Sequence, residues 1–321
     1  MLTAYASRND RLEPVPPADL DQAVWIDLNR PTPDEAARVE SCVGVHLPTQ
    51  EEMAEIELSS RLYEQDDARF MTVTALVNLA DRPVRTPLTF VLKGNVLVSI
   101  RHADLKTFEG YATRATRSKA GPCQTGGAVL LALLEAVTDR LADALETVGA
   151  DIDSLSREIF RPRRGREKAQ GRDLEALISE IGHQGETIDM IQESMVSIGR
   201  AASFMTATED ERSTAAGHKR VAMIQRDAEA LGEHAIFLSD KINFLLDATL
   251  GLINLEQNKV MKIFSIVSVV FMPPTLVASI YGMNFDRMPE LHWTFGYPFA
   301  LILMTLFAVV PFLVFRRKGW L

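Results

Sequence analysis

Cysteine is nearly missing: Cys42 and Cys123 are the only two among 321 residues. With no second thiol near either, the chain offers no thiolate metal centre and no obvious disulfide, a usage that fits a reducing compartment. The six histidines are scattered, and no nucleophile and base stand at a telling spacing, so an enzyme is not expected. A glycine-rich phosphate loop with its lysine is also missing, which argues against nucleotide hydrolysis as an energy source. Positive charge is in deficit, 34 Lys and Arg against 43 Asp and Glu for a net −9, which disfavours nucleic acid and suits cations. The opening "MLTAYASRND" lacks the charged-then-apolar layout of a secretory leader, so residues 1 to about 255 are expected to stay in the cytoplasm.

Charge is missing altogether from two C-terminal stretches. Ile263 to Phe285 and Trp293 to Phe315 are 23 residues each without one ionisable Asp, Glu, Lys or Arg. Each is long enough to cross about 30 Å of hydrocarbon as a helix. Lys259 and Lys262 precede the first, and Arg316, Arg317 and Lys318 follow the second, so the positive-inside rule puts both outer ends in the cytoplasm and the loop between the spans outside. Residues 263–321 carry a net +2, which leaves −11 on the remainder.

What is present upstream divides in two. "AVWIDLN" reads as a buried strand, "PTPDEAARVESCVG" as a helix with start signals, and "TPLTFVLKGNVLVSIRH" as two strands about a Lys93-Gly94-Asn95 turn. An α/β domain over residues 1–125 follows. Past Ala128 proline almost vanishes and apolar residues recur at helical spacing, with polar breaks at "RPRRGREKAQGRD" and "TATEDERSTAAG". Residues 126–257 are therefore expected to form a bundle of long helices and a stalk. The last helix runs on without a breaker until Pro273, so about sixty residues would reach on the order of 90 Å. A first span over 258–285, a loop over 286–292, a second span over 293–315 and a basic tail over 316–321 complete an α+β membrane protein. The acidic stretch "TQEEMAEIE", with Glu51, Glu52, Glu55 and Glu57, reads as a solvated helix face.

Alternating steps of three and four through the first span pick out Asn258, Met261, Ser265, Ser268, Met272, Thr275 and Ser279. A repeat of 3.5 residues is the mark of helices packed about a shared axis. Small and polar residues at that spacing also serve close helix packing in lipid. The other reading is a water-filled pore ringed by one such helix from each of several subunits, because two spans cannot enclose one. Pro273 and Pro274 each remove a backbone donor, leaving the carbonyls of Val269 and Val270 to be satisfied by a neighbour or by water.

The ordered set "YGMNF", "MPEL", "FGYP" and a terminal "RRKGWL" resembles the CorA family of divalent-cation channels, over roughly the last 65 residues. The resemblance implies a homopentameric funnel in the inner membrane of a bacterium. It implies uptake of Mg²⁺, with Co²⁺ and Ni²⁺ also accepted, driven by the membrane potential and needing no organic cofactor. It makes Gly282, Met283 and Asn284 the selectivity filter at the outer mouth. Mg²⁺ sheds water reluctantly, and a ring of neutral Asn284 oxygens offers acceptors to its bound waters. The resemblance adds Phe264 to Met261, Met272 and Thr275 as pore lining. Glu290 could concentrate cations at the mouth or pair with Arg287. Tyr281, Trp293 and Tyr297 suit an interfacial aromatic belt.

Family channels close when Mg²⁺ binds between cytoplasmic domains of neighbouring subunits, and the resemblance places one ligand at Asp247 and its partner at Asp81. Asp81 in "ADRP" equally suits a turn. Two other readings stand beside a Mg²⁺ channel: a Zn²⁺ transporter of the related ZntB branch, and a membrane-anchored scaffold or sensor.

Overall fold

The computed structural model describes residues 1–79, 81–117, 123–161, 173–207, 215–283, 288 and 293–319. The chain forms two compact units, Met1–Leu246 and Asp247–Leu321.

The N-terminal unit is built on seven strands: β1 (Leu2–Arg8), β2 (Arg11–Val15), β3 (Trp25–Asn29), β4 (Leu62–Gln65), β5 (Ala68–Val77), β6 (Val84–Lys93) and β7 (Val96–Arg101). They lie in the order β2-β1-β3-β7-β6-β5-β4. Every neighbouring pair is antiparallel except β3 and β7, which run parallel with Asp27 opposite Ser99. The helices are α1 (Pro33–Val43), α2 (Gln50–Met53), α3 (Leu58–Arg61), α4 (Lys106–Arg117), α5 (Gly126–Phe160), α6 (Leu174–Ala207), α7 (Ala215–Tyr281) and α8 (Gly296–Arg317).

The strands alternate as the pleat requires. Ile26, Leu28, Val98 and Ile100 point to one face of the sheet, into a core shared with Val39 of α1 and Met53 of α2. Trp25, Asp27, Leu97, Ser99 and Arg101 point to the other, where Phe108 of α4 also lies buried. The acidic stretch after Thr49 is one helical turn and not a longer helix. Thr49 and Glu52 close a reciprocal capping box there, so Glu52 accepts the Thr49 N–H at 2.8 Å and is held below the usual carboxylate range by that bond.

A charged network lies inside this second face. Arg101 grips Asp27 with Nη2–Oδ2 at 2.8 Å, Ser99 donates to Asp27 Oδ1 at 2.7 Å, and Trp25 Nε1 donates to Ser99 at 2.9 Å. The Arg101 guanidinium also stands 5.3 Å from the Phe108 ring centroid and donates to the Ala103 carbonyl at 3.0 Å. Both ions are under a tenth exposed, so each depends on the other for its charge to be tolerated.

The long helices dock on this sheet by specific contacts. At Gly126 a Cβ would fall 2.6 Å from the Leu97 amide nitrogen, so only glycine lets α5 begin against the β6–β7 turn. Beyond Met71 β4 no longer covers β5, and α6 takes over the open edge. Ser194 donates to the Thr74 carbonyl, and the Thr74 N–H donates to Ser197 Oγ at 2.9 Å. Pro87 can sit opposite Thr74 in β6 because β7 ends at Leu88's partner Arg101, so no ladder bond is lost there. Within this unit α7 is tied to α5 by a bidentate Arg220–Glu135 pair, a Lys241–Asp153 pair, and stacking of Phe244 on Phe160 with centroids 5.9 Å apart.

Replacing Arg101 by Met leaves Asp27 charged and buried without its partner, at a cost of about 3–5 kcal/mol. Denaturant unfolding followed by Trp25 fluorescence should register that loss. The double replacement Asp27→Leu with Arg101→Met should recover most of it.

Candidate ion path and cation cleft

In the C-terminal unit α7 and α8 are each long and apolar enough to cross a membrane. α7 continues unbroken through Pro273 and Pro274 to Tyr281. From Asn258 onward only four described residues are buried: Ile266 and Val277 on α7, Gly296 and Ala300 on α8. Val270, Pro273, Pro274 and Tyr281 are partly covered and continue the α7 stripe. At about 100° per residue, the covered stripe and the polar stripe are roughly 200° apart. Asn258, Met261, Phe264, Ser265, Ser268, Met272, Thr275 and Ser279 are all exposed, Met272 at 68%. The single chain thus covers one side of α7 and leaves its most polar side open.

The hydroxyls on that side are already oriented. Ser265 donates to the Met261 carbonyl at 2.9 Å, Ser268 to Phe264 at 2.9 Å, and Thr275 to Phe271 at 2.7 Å. Each hydroxyl spends its proton on the backbone four residues earlier, so what it presents outward is an oxygen lone pair. Waters held by a dication turn their hydrogens outward and need acceptors of this kind.

The α7 helix tightens as it ends. Gly282 N–H still reaches the Ala278 carbonyl at 2.9 Å, whereas Met283 N–H bonds Ile280 three residues back, at 3.3 Å. A Cβ on Gly282 would press on the Ala278 oxygen at 3.1 Å, which favours glycine at this exit. Met283 is exposed. Asn284 and Glu290, the expected filter and collector, lie outside the described residues. Trp293 contacts Phe299 at the entrance to α8 with centroids 5.7 Å apart, and Tyr297 is exposed.

In the N-terminal unit Asp81 closes a turn, its N–H donating to the Asn78 carbonyl at 3.0 Å. The same residue lines a cleft of about 220 Å³ between that turn, α5 and α6. Asp143 and Asp151 of α5 and His183 of α6 share it, with Arg140 as its cation. Neither α5 aspartate was singled out from the sequence. The signal was present in the run "TDRLADALETVGADIDS", but placing it beside Asp81 requires knowing how α5 crosses the sheet. Asp247 is an exposed residue of α7 and the first of the C-terminal unit. Among the described residues no three carboxylate, imidazole or thiol groups converge to hold a metal within one chain.

On the acidic side of α5, burial and crowded like charge act together on one carboxyl. Burial first, and then the carboxylates of Glu135, Asp143 and Asp227, push the Asp139 carboxyl above its ordinary range, with Arg114 offsetting part. Its ionised form is therefore disfavoured in the fold.

These features define an integral membrane protein in which two C-terminal spans follow, along the chain, a large acidic domain. The sequence matches the family described as "CorA-like Mg2+ transporter protein" over residues 21–317. It is 38% identical to the magnesium transport protein CorA of Escherichia coli K12 over 325 aligned positions, covering 100% of both chains, and equally similar to that of Salmonella typhimurium. The full-length CorA magnesium transporter of Methanocaldococcus jannaschii superposes with a TM-score of 0.80 at 19% identity, over 100% of this chain and 99% of that one. The ZntB cytoplasmic domain of Vibrio parahaemolyticus is more distant, with a TM-score of 0.57 at 13% identity over 78% of this chain and 97% of that one. The chain belongs to the CorA family.

Because a raised folded-state pKa makes the ionised acid costly at neutral pH, Asp139→Asn should raise the thermal midpoint at pH 7.5. The gain should shrink as pH falls toward the folded-state pKa, where Asp139 is itself neutral. Melting curves at pH 7.5 and at a more acidic pH check the sign.

Proposed function

We propose that the chain is a Mg²⁺ channel of the bacterial inner membrane, taking up Mg²⁺ and also Co²⁺ and Ni²⁺, with both ends in the cytoplasm. The observation that carries this reading is the polar stripe of α7, roughly opposite its covered stripe and presenting oriented oxygen acceptors. Five copies placed about one axis would turn that stripe inward and enclose water. CorA relatives similar along the whole length support the choice of Mg²⁺.

The path has stages of different chemistry. A ring of Asn284 at the outer mouth, beyond Gly282 and Met283, receives hydrated Mg²⁺ through neutral oxygens, and Glu290 raises the local cation concentration. Carboxylates in the filter would hold a dication more tightly and release it more slowly. Ser279 and Thr275 then take over as acceptors to the bound waters. Met272, Phe264 and Met261 form apolar constrictions that close by dewetting, and Ser265, Ser268 and Asn258 keep the lower path wettable. The membrane potential supplies the drive: roughly 2.3 kcal/mol per charge per 100 mV gives about 4.6 kcal/mol for a dication. That corresponds to accumulation by about three orders of magnitude.

Closure follows from the acidic cleft. Asp81 of one subunit and Asp247 of the next repel each other until cytoplasmic Mg²⁺ bridges them, with Asp143 and Asp151 adding negative charge on the Asp81 side. Mg²⁺ therefore stabilises the closed arrangement and its release shifts the population toward open ones.

Flux into liposomes holding the purified protein tests both parts. Asn284→Ala should lower Mg²⁺ flux by about tenfold or more, as expected for the loss of one ring of positioning hydrogen bonds from each subunit. Flux that survives the change would sink the filter assignment, and Zn²⁺-selective, proton-coupled flux would move the chain to the ZntB branch. No flux of any dication would favour a scaffold or sensor. The pair Asp81→Asn with Asp247→Asn should keep conducting when the cytoplasmic side holds millimolar Mg²⁺, and lose the protease protection that Mg²⁺ confers. Unchanged protection would refute the regulatory site.

A further inference from the structure

The inner ends of α7 and α8 carry an unusual concentration of one charge. Between Gln257 and Met283 and between Trp293 and Gly319, the described charged residues are Lys259, Lys262, Arg316, Arg317 and Lys318, all cationic. All five are exposed, and all belong to the C-terminal unit.

Their depth coincides. Lys262 lies 19 residues below Tyr281, about 29 Å along α7, and Arg316 lies 20 residues past Gly296, about 30 Å along α8. That span matches the roughly 30 Å of bilayer hydrocarbon, which sets both groups at the level of lipid phosphates.

Their direction coincides as well. The covered stripe of α7 runs through Ile266, Val270, Pro273 and Val277. Extended toward the N-terminus at about 100° per residue it meets Lys259 near its centre and Lys262 within about 60°. On α8 the covered stripe runs from Gly296 and Ala300 through Met304, Pro311 and Phe315, and its next position is Lys318. Three ammonium groups therefore continue the two covered stripes, while Arg316 and Arg317 share their depth but point about 100° or more away from the α8 stripe. The nearest described carboxylate on either helix is Glu256, one turn below Lys259. One carboxylate does not neutralise three ammonium groups, so the end of the hairpin stays cationic and suits a further counter-anion. At this depth the anion in greatest supply is a phospholipid phosphate, and the apolar stripes above the lysines suit its acyl chains.

We propose that Lys259, Lys262 and Lys318 form a headgroup site for an anionic phospholipid at the cytoplasmic end of the α7–α8 hairpin. The site rests on the two-span membrane reading but not on ion conduction. It ties both spans to the cytoplasmic leaflet and neutralises cations that would otherwise repel one another next to an incoming dication.

The test uses the full chain reconstituted in an equimolar mixture of phosphatidylglycerol and phosphatidylcholine, re-extracted in mild detergent, with the co-purifying lipid measured by mass spectrometry. Phosphatidylglycerol should be enriched by about fivefold or more, the preference that even one lysine at an anionic surface supplies. The variant Lys259→Gln/Lys262→Gln/Lys318→Gln should lose most of the enrichment and keep no more than the share that Arg316 and Arg317 supply, and the corresponding triple change to Arg should keep the full enrichment; an unchanged enrichment in the Gln variant overturns the site. Parity in the unaltered protein overturns the proposal without reference to any variant. So does displacement of the lipid by millimolar inorganic phosphate, which would mark the cluster as a site for the free anion. Mg²⁺ flux in the same vesicles reads separately on conduction: lipid enrichment without flux supports the lipid site and counts against the channel.

Discussion

A polar group within a bilayer must find a partner, because no water is at hand to replace one, and α7 has more polar groups than its own chain can satisfy. Pro273 and Pro274 free the carbonyls of Val269 and Val270, and Ser265, Ser268 and Thr275 turn oxygen lone pairs outward. Among the described residues of α7 from Asn258 onward, burial is confined to the opposite side, at Ile266 and Val277. A lone hairpin with this arrangement would expose its polar side to lipid. In the proposed channel, assembly of copies about a water-filled axis would remove the conflict, and the same requirement would give the channel its lining. Pore and oligomer would then be two consequences of one demand.

The N-terminal unit treats charge in two ways. Where a charge is buried the fold satisfies it completely, as with Asp27 held by Arg101 and Ser99. Carboxylates gather on α5 and beside Asp81, and at Asp139 burial first, then the neighbouring carboxylates, raise the pKa. The first arrangement makes the sheet a rigid platform. In the proposed function, the second would make the surface of that platform responsive to dications.

Legibility in the sequence followed the range of the interactions. The two spans could be read directly, since an uncharged run of 23 residues matches the bilayer in both length and polarity, and α7 with its polar stripe followed from local spacing. The β6–β7 hairpin, β3 and α1 were marked by turn and cap residues and stand where those signals put them. The hairpin of β1 and β2 went unread even though Asn9 and Asp10, both at positive φ, provide its turn. Its strands are short, and the second carries charged residues and Pro14. Sequence could not pair Asp27 with Arg101, 74 residues away, because that contact depends on the parallel register of β3 and β7. The cleft was half legible: Asp81 is a local turn residue, whereas Asp143 and Asp151 reach it only through the path of α5. Asn284 rests on the family resemblance together with the suitability of neutral oxygens for hydrated Mg²⁺, and Glu290 on its charge in the loop; both lie outside the described residues.

Thiol accessibility along α7 tests the central claim most directly. In a chain carrying Cys42→Ser and Cys123→Ala, single cysteines at Ser268 and Thr275 should react in proteoliposomes with a membrane-impermeant thiol reagent bearing a fixed positive charge, since water is needed to form the thiolate. Cysteines at Ile266 and Val277 should stay unmodified over the same time. Equal labelling of the two stripes, or labelling of the covered stripe alone, would contradict a water-filled path along the polar side of α7.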